Sequence, residues 1–199
     1  KVIKLLRKAA SKNKRVRLVE RKVNGGIVAA SQDGLDISTG EFIALLDHDD
    51  ELHIHALKEV ALRINNEPEV DYLYSDEDKI DADGNHFDVF RKPDFDPIRL
   101  LGQNYCCHLS VFRSSLLDKI GGFRSGFEGS QDFDLILRAS EQARTIVHIP
   151  KVLYHWRAIP GSAAAVTNAK PYALESAFRA VNEHVNRIGI QADVKQTET

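Results

Sequence analysis

The apolar run Phe42–Leu46 ("FIALL") passes directly into Asp47-His48-Asp49-Asp50-Glu51. Five residues are too few for a stable helix, and the run has no polar face. It predicts a strand buried on both sides, as in the interior of a parallel sheet. Such a strand must be covered by helices, and the flanking sequence supplies them. "KVIKLLRKAASKNK" reads as a helix, and "NGG" (Asn24–Gly26) opens another, roughly Ile27 to Ser38, that ends near Gly40. "HIHALKEVALRINNEPE" is an amphipathic helix stopped at Pro68, while "RVRLVER" (Arg15–Arg21) and "VDYLYSD" have strand character. The order up to residue 76 is therefore αβαβαβ, which predicts an open α/β sheet with helices on its faces.

The second half has a different rhythm. "DADGN" (Asp81–Asn85) is a turn between short extended pieces, and "CCHLSVFR" reads as a strand. "SSLLDKIGGF" is a short helix with a Gly-Gly stop, and Ser130 is placed to cap a helix over "QDFDLILRASEQA". "TIVHIP" and "VLYHWR" read as two strands parted by Pro150; a small-residue loop, Gly161–Asn168, then leads to a helix from Pro171 to Arg187. We expect one α/β domain over residues 1–199, with a mixed, mainly parallel sheet flanked by helices.

A formal charge of −2, with no basic stripe beyond the first 22 residues, excludes nucleic acid as the expected partner. The Lys- and Arg-rich stretch Lys1–Lys22 is either a solvated helix face or a patch for a membrane surface or an anionic ligand. No apolar run approaches the roughly 18 residues of a membrane span. Cys106 and Cys107 are adjacent and strained as a pair, so free thiols in a reducing, cytoplasmic setting are expected. The sequence has no Met and starts within a helical pattern, so an excised piece of a longer chain is expected.

Carboxylates packed this closely repel one another, which calls for something positive. Asp47 and Asp49 are two apart at a strand end, so both can face one crevice while His48 points away. Ligands bind at the carboxyl ends of strands in such sheets, and hard oxygen donors suit Mg²⁺ or Mn²⁺ carrying a diphosphate. Asp50 and Glu51 read as a solvated turn that caps the next helix. Asp132 and Asp134 fall in a first helical turn, where a carboxylate is stabilised with or without a catalytic role. His155 and Arg157 alternate along a strand, as a metal ligand and a phosphate grip or as a half-buried pair beside the only Trp. Asp76, Glu77 and Asp78 either line a substrate pocket or form a solvated loop. Zinc is disfavoured, because the eight His are scattered and neither His-Glu-x-x-His nor Cys-x-x-Cys occurs.

"NGGIVAASQDGLDISTGEFIALLDHDDEL", "YSDEDKID", "KPDFDP", "GGFRSGFEGSQDFDLILR" and "HIPKVLYHWR" together resemble bacterial family 2 glycosyltransferases of the GT-A fold. The resemblance is to the branch that builds rhamnose-rich and other cell-surface polysaccharides, and it covers about Arg15 to Ser162. It implies a nucleotide-sugar-binding part over 1–76, an acceptor and catalytic part over 77–168, and a C-terminal helix and tail over 169–199. It places Asp47, Asp49, Asn24, Gly26 and Arg157 with the donor, Asp49 and His155 on the metal (Mn²⁺ or Mg²⁺), and Asp132 as general base. Gln131, where the family commonly has Glu, joins Asp76 and Glu77 as candidate pocket residues. The partners implied are a nucleotide-sugar donor and a saccharide or lipid-linked saccharide acceptor, met in the cytoplasm or at the inner face of the cytoplasmic membrane. The family's opening Val-Ser-Ile-Ile-x-Pro strand is not found here. Weak donor binding and pairing with a second copy along an exposed sheet edge are expected consequences.

One carboxylate base plus one metal site matches inverting transfer, because a metal-bound diphosphate leaves without needing a proton. Two other readings compete: a metal-dependent phosphohydrolase, and a non-catalytic sugar- or metal-binding domain. "DHDDELH" lacks the Thr/Ser and Lys pattern of the first. "DADGNHFD" has the wrong spacing for a calcium loop, and a plain hairpin turn is the better reading.

Overall fold

The computed structural model describes residues 2–158 and 171–195; the expected loop Gly161–Asn168 lies outside them. The elements run α1 (Val2–Lys12), α2 (Gly26–Asp36), β1 (Phe42–Ala44), β2 (Glu51–Leu52), α3 (Ala56–Asn66), β3 (Val70–Ile80) and β4 (His86–Phe90). They continue α4 (Pro97–Gly102), β5 (Ser110–Arg113), α5 (Ser114–Ile120), α6 (Gln131–Gln142), β6 (Thr145–Arg157) and α7 (Pro171–Arg187). The described strands form one sheet in the order β1-β5-β3-β6-β2, with β4 paired to the far half of β3.

The sheet is mixed, as expected, but it is not mainly parallel. Only β3 and β6 pair in parallel; β1–β5, β3–β5, β3–β4 and β2–β6 are all antiparallel. β1 and β3 do run the same way, but β5 returns between them, so the αβαβαβ pattern did not reveal which strands would be neighbours. β1 is accordingly an edge strand, half-covered and not buried on both faces. Arg15–Arg21 forms no strand, and only Leu18 within it is even half-buried. Side chains hold this segment instead: Arg17 bonds the Ile37 carbonyl, and Arg21 pairs with Asp33 of α2 at 2.6 Å. The two strands expected around Pro150 are one. Pro150 has no N–H for the ladder, and the register slips there from Ser75↔Ile149 to Asp76↔Val152, a bulge rather than a break.

Strand alternation separates two cores. Tyr72 and Tyr74 face one side, where Tyr72 stacks on Phe112 at 4.4 Å and the layer is completed by α5, α6 and α7. Leu73, Val111, Val147 and Ile149 face the other side, against Ala56 and Val60 of α3. α6 is anchored most deeply: Leu135, Ile136 and Leu137 are all buried, each worth about 1.5–3 kcal/mol. α1 forms but buries no residue. Among the described residues no helix is long and apolar enough to cross a membrane.

β3 is buried almost along its whole length, although it carries four carboxylates. The first, Asp71, accepts from Arg113 Nε at 3.0 Å and from the Arg144 backbone N–H and Nε at 2.9 Å each, tying the starts of β3 and β6 to the end of β5. The Arg144 guanidinium beside it brings its carboxyl down to about 2. A folded value below the ordinary one near 4 means that this stability is present above about pH 4 and lost as pH falls through the folded value. Asp71→Asn should cost about 1.5–3 kcal/mol in denaturant melts at neutral pH. The difference from wild type should shrink as pH is lowered through that window.

Candidate active site

A cleft of about 300 Å³ opens between α2, the chain from β1 to Asp47, and the start of α6. Its walls include Ile27, Leu35, Asp47, His108, Asp132 and Tyr154. Asp47 and Asp132, remote in sequence, therefore face one space.

The acidic loop is held from behind by β6. The Tyr154 hydroxyl donates to Asp50 Oδ2 at 2.5 Å and accepts the Asp47 N–H at 3.2 Å. The Arg157 N–H donates to Asp50 Oδ1 at 2.8 Å, and its Nε to the Asp49 carbonyl at 2.7 Å; its remaining guanidinium nitrogens meet Glu51 and the Asp81 carbonyl. Neither acid caps the next helix, which starts after His55: Asp50 is held by β6, and Glu51, though exposed as expected, pairs with Arg157 of β6. Arg157 spends its donors on the loop that carries the carboxylates. With Asp50 committed, Asp47 is left lining the cleft, whereas Asp49 is not among its lining residues and has His48 Nδ1 at 3.5 Å. Burial, then the neighbouring charges of Asp50, Asp132 and Asp49, raise the Asp47 carboxyl. Burial also raises Asp50, against the hydrogen bonds from Arg157 and Tyr154.

Asp132 starts α6, and the loop before it is closely packed. Gly129 has φ +84 with Ala173 and Tyr172 lying where a Cβ would be, so this approach of α7 requires glycine. Ser130 does not cap with its side chain; its Oγ donates to the Ala173 carbonyl at 2.7 Å. Gln131 lines the cleft and accepts the Gly129 N–H through Oε1 at 2.9 Å. Asp132 accepts from Asn104 Nδ2 at 2.9 Å, and burial raises its carboxyl above the usual range. Asn104 Oδ1 is buried without a partner in the structure, beside the Nδ2 that meets Asp132. Asp134, its neighbour in the same turn, is instead fully buried between Arg124 and Arg138 and belongs to the core.

His108 stacks on Tyr154 at 4.6 Å, both lining the cleft, and its ring lies 5.3 Å from that of Trp156. Burial lowers the His108 imidazole to about 3, so it is neutral at physiological pH. Burial raises both Cys106 (to about 12) and Cys107, which keeps these free thiols protonated and poorly nucleophilic.

Asp76 and Glu77 are neither a solvated loop nor part of the cleft lining, because β3 continues past them into Ile80. Asp76 accepts from the Lys92 N–H at 2.9 Å and lies 2.8 Å from His148 Nε2. Glu77 pairs with Lys92 Nζ at 2.9 Å, and burial, partly offset by Lys92, raises its carboxyl. The same ammonium donates to the carbonyls of Cys107 and His108, both cleft residues, so Glu77 acts as a support from behind.

His155 stands with Asp78 and His86, three residues close enough to share one ion; Asp49 is not in that group. Asn24 Oδ1 accepts the Gly26 N–H at 3.0 Å, a local turn that starts α2 just before the cleft residue Ile27. Lys92 and Tyr154 lie within the motifs "KPDFDP" and "HIPKVLYHWR", yet the roles of these two, and of Asn104 and His108, carry no local signal, because their partners lie on other elements.

Residues 2–121 match the family described as "Glycosyl transferase family 2". The chain belongs to this family. It is 48% identical over 186 residues to "Uncharacterized protein y4gI" of Sinorhizobium fredii, covering 92% of this chain and 20% of that one. It is 39% identical over 193 residues to "O-antigen biosynthesis protein RfbC" of Myxococcus xanthus, covering 96% of this chain and 15% of that protein. The chain thus spans a fifth or less of these relatives. Its GT-A fold is that of S. aureus TarS 1-349 solved with UDP-GlcNAc, at TM-score 0.73 and 18% identity, over 98% of this chain and 55% of that one.

The buried ammonium is the most exposed weakness of this family member. Lys92→Ala would leave Glu77 uncompensated and should destabilise by about 3–5 kcal/mol in urea melts. Adding Glu77→Gln should recover part of that loss.

Proposed function

We propose that this chain carries the catalytic centre of a metal-dependent, inverting glycosyltransferase. It would move a sugar from a nucleotide-diphosphate donor to a hydroxyl of a growing polysaccharide or lipid-linked saccharide. The observation that carries this reading is the shared cleft of Asp47 and Asp132.

Asp47 and Asp49 offer hard oxygen ligands on a loop already fixed by Tyr154 and Arg157, a donor set that fits Mg²⁺ or Mn²⁺. Such an ion would supply Lewis-acid stabilisation of the departing diphosphate. Asn24 and Gly26 set the start of α2 on the donor side. Asp132 accepts the acceptor hydroxyl's proton, and Asn104 fixes one of its oxygens so that the other is presented to that hydroxyl. Gln131 and the stacked His108–Tyr154 pair shape the space for the sugars. With one positioned base and no proton needed by the leaving group, a single displacement inverts the anomeric carbon.

The names of two relatives support a polysaccharide setting: the RfbC protein and, at 26% identity, "Chondroitin synthase" of Escherichia coli. The test is release of nucleoside diphosphate from a panel of nucleotide sugars with Mn²⁺ or Mg²⁺, in the protein that contains this chain. Asp132→Asn should cut turnover by about 10²–10⁴-fold while leaving donor affinity unchanged. The rate should fall on acidification at a pH above that of an ordinary carboxylate, because the base must be ionised and burial raises it. Near-normal turnover in Asp132→Asn, or phosphate release from simple phosphomonoesters, would overturn the assignment.

A further inference from the structure

The loop that delivers Asp132 to the cleft has little conformational preference of its own. Between α5 and α6 it carries Gly126 and Gly129, both at positive φ, on either side of Phe127 and Glu128. Glycines allow such a stretch many conformations of similar energy, so its place has to come from tertiary contacts. Both of its ends reach the cleft, through Phe123 on one side and Gln131 and Asp132 on the other.

Those contacts converge on Phe127, which is only 5% exposed although it sits in a loop. The Arg124 guanidinium lies over its ring at 4.4 Å, and the Arg179 guanidinium, from α7, at 5.1 Å. Arg124 is answered by Asp134 of α6 and by Glu183 of α7, the latter at 2.8 Å. Arg179 turns to the loop backbone itself: it donates to the Gly126 carbonyl and has the Ser176 hydroxyl at 3.4 Å. The Phe127 carbonyl accepts the Ser130 N–H at 3.0 Å, and the Ser130 carbonyl accepts the Asp134 N–H at 3.0 Å, closing the turn that contains Asp132. A continuous path therefore runs from α7 through Gly126 and Phe127 to Ser130 and Asp132, with Arg179 at its outer end.

We infer that Arg179 is a positioning residue for Asp132: seated on Phe127 and the Gly126 carbonyl, it fixes the loop so that the carboxylate stands within reach of the acceptor hydroxyl. The inference rests on the reading of Asp132 as the general base. Misplacing a reacting group by about 1 Å costs about 10²-fold in rate, so a loop of this kind needs an anchor. Arg179 is exposed and is not among the residues that line the cleft, so it acts through the loop. The burial of α6 is carried by other residues, Leu135, Ile136 and Leu137.

The test compares Arg179→Met, Arg179→Lys and Arg187→Met in the protein that contains this chain, with circular dichroism to follow folding. Arg179→Met should lower kcat by about 10–100-fold at unchanged donor KM. Arg179→Lys keeps a cation for the ring and a donor for the Gly126 carbonyl, and should recover most of that loss. Arg187 pairs with Glu141 of α6 at 2.7 Å and with Glu183 of α7 at 3.5 Å. Arg187→Met therefore loosens the same two helices without removing the loop contact, and should leave kcat unchanged. On top of Asp132→Asn, Arg179→Met should add no further loss, because groups that act as one unit are not additive. Normal kcat in Arg179→Met, an equal fall in Arg187→Met, or a full additional loss in the Asp132→Asn background would each overturn the inference. Near-normal turnover in Asp132→Asn alone would instead remove the base, and the inference with it.

Discussion

The structure depends on how β3 buries its carboxylates. A central strand covered on both faces would ordinarily be apolar, yet this one carries Asp71, Asp76, Glu77 and Asp78. Each acid has to be answered from another element, and the answers assemble the molecule. Arg113 and Arg144 bring in β5 and β6, Lys92 brings in the chain after β4, and His86, His148 and His155 bring in β4 and β6. Leaving any of these charges unpaired costs several kcal/mol, so the pairings select one register over its alternatives.

The cleft inherits its shape from that arrangement. Glu77 fixes Lys92, Lys92 fixes the carbonyls of Cys107 and His108, and His108 lies flat on Tyr154. Tyr154 in turn carries the hydroxyl that meets Asp47 and Asp50. The cleft's polar residues are thus set by a chain of contacts that begins in the sheet interior. Asp132 arrives from the opposite direction on α6, whose apolar side is sunk in the core and whose first turn is wedged under α7. Two rigid supports converge, which suits a reaction that needs its groups held in one geometry.

Much of this was legible beforehand, and for definite reasons. The helices α2, α3, α5, α6 and α7 carry periodicities and stop signals within their own spans, and the hairpin at Asp81–Asn85 is a local turn. The apolar run into Asp47 and the helix-start Asp132 were recognisable as candidates because strand ends and helix starts expose side chains. The strand expected at Arg15–Arg21 failed because alternation needs a partner ladder and a covered face, and neither is there among the described residues. The parallel character was overstated because a βα alternation says nothing of a later strand, β5, entering between β1 and β3.

By itself, then, the sequence determined where most of the helices form, which family pattern the chain carries, and that Asp47 and Asp132 stand beyond a strand and at a helix start. Those properties depend on neighbours within a few residues, and local sterics and periodicity encode them. Only the tertiary structure decided which acid meets which cation: that Asp50 goes to Tyr154 and Arg157, that Asn104 holds Asp132, and that His155 joins Asp78 and His86. Such pairings depend on sheet register and on the slip at Pro150, which shifts every later partner along β6. Register is settled by the summed burial and pairing of distant segments, so no local pattern contains it.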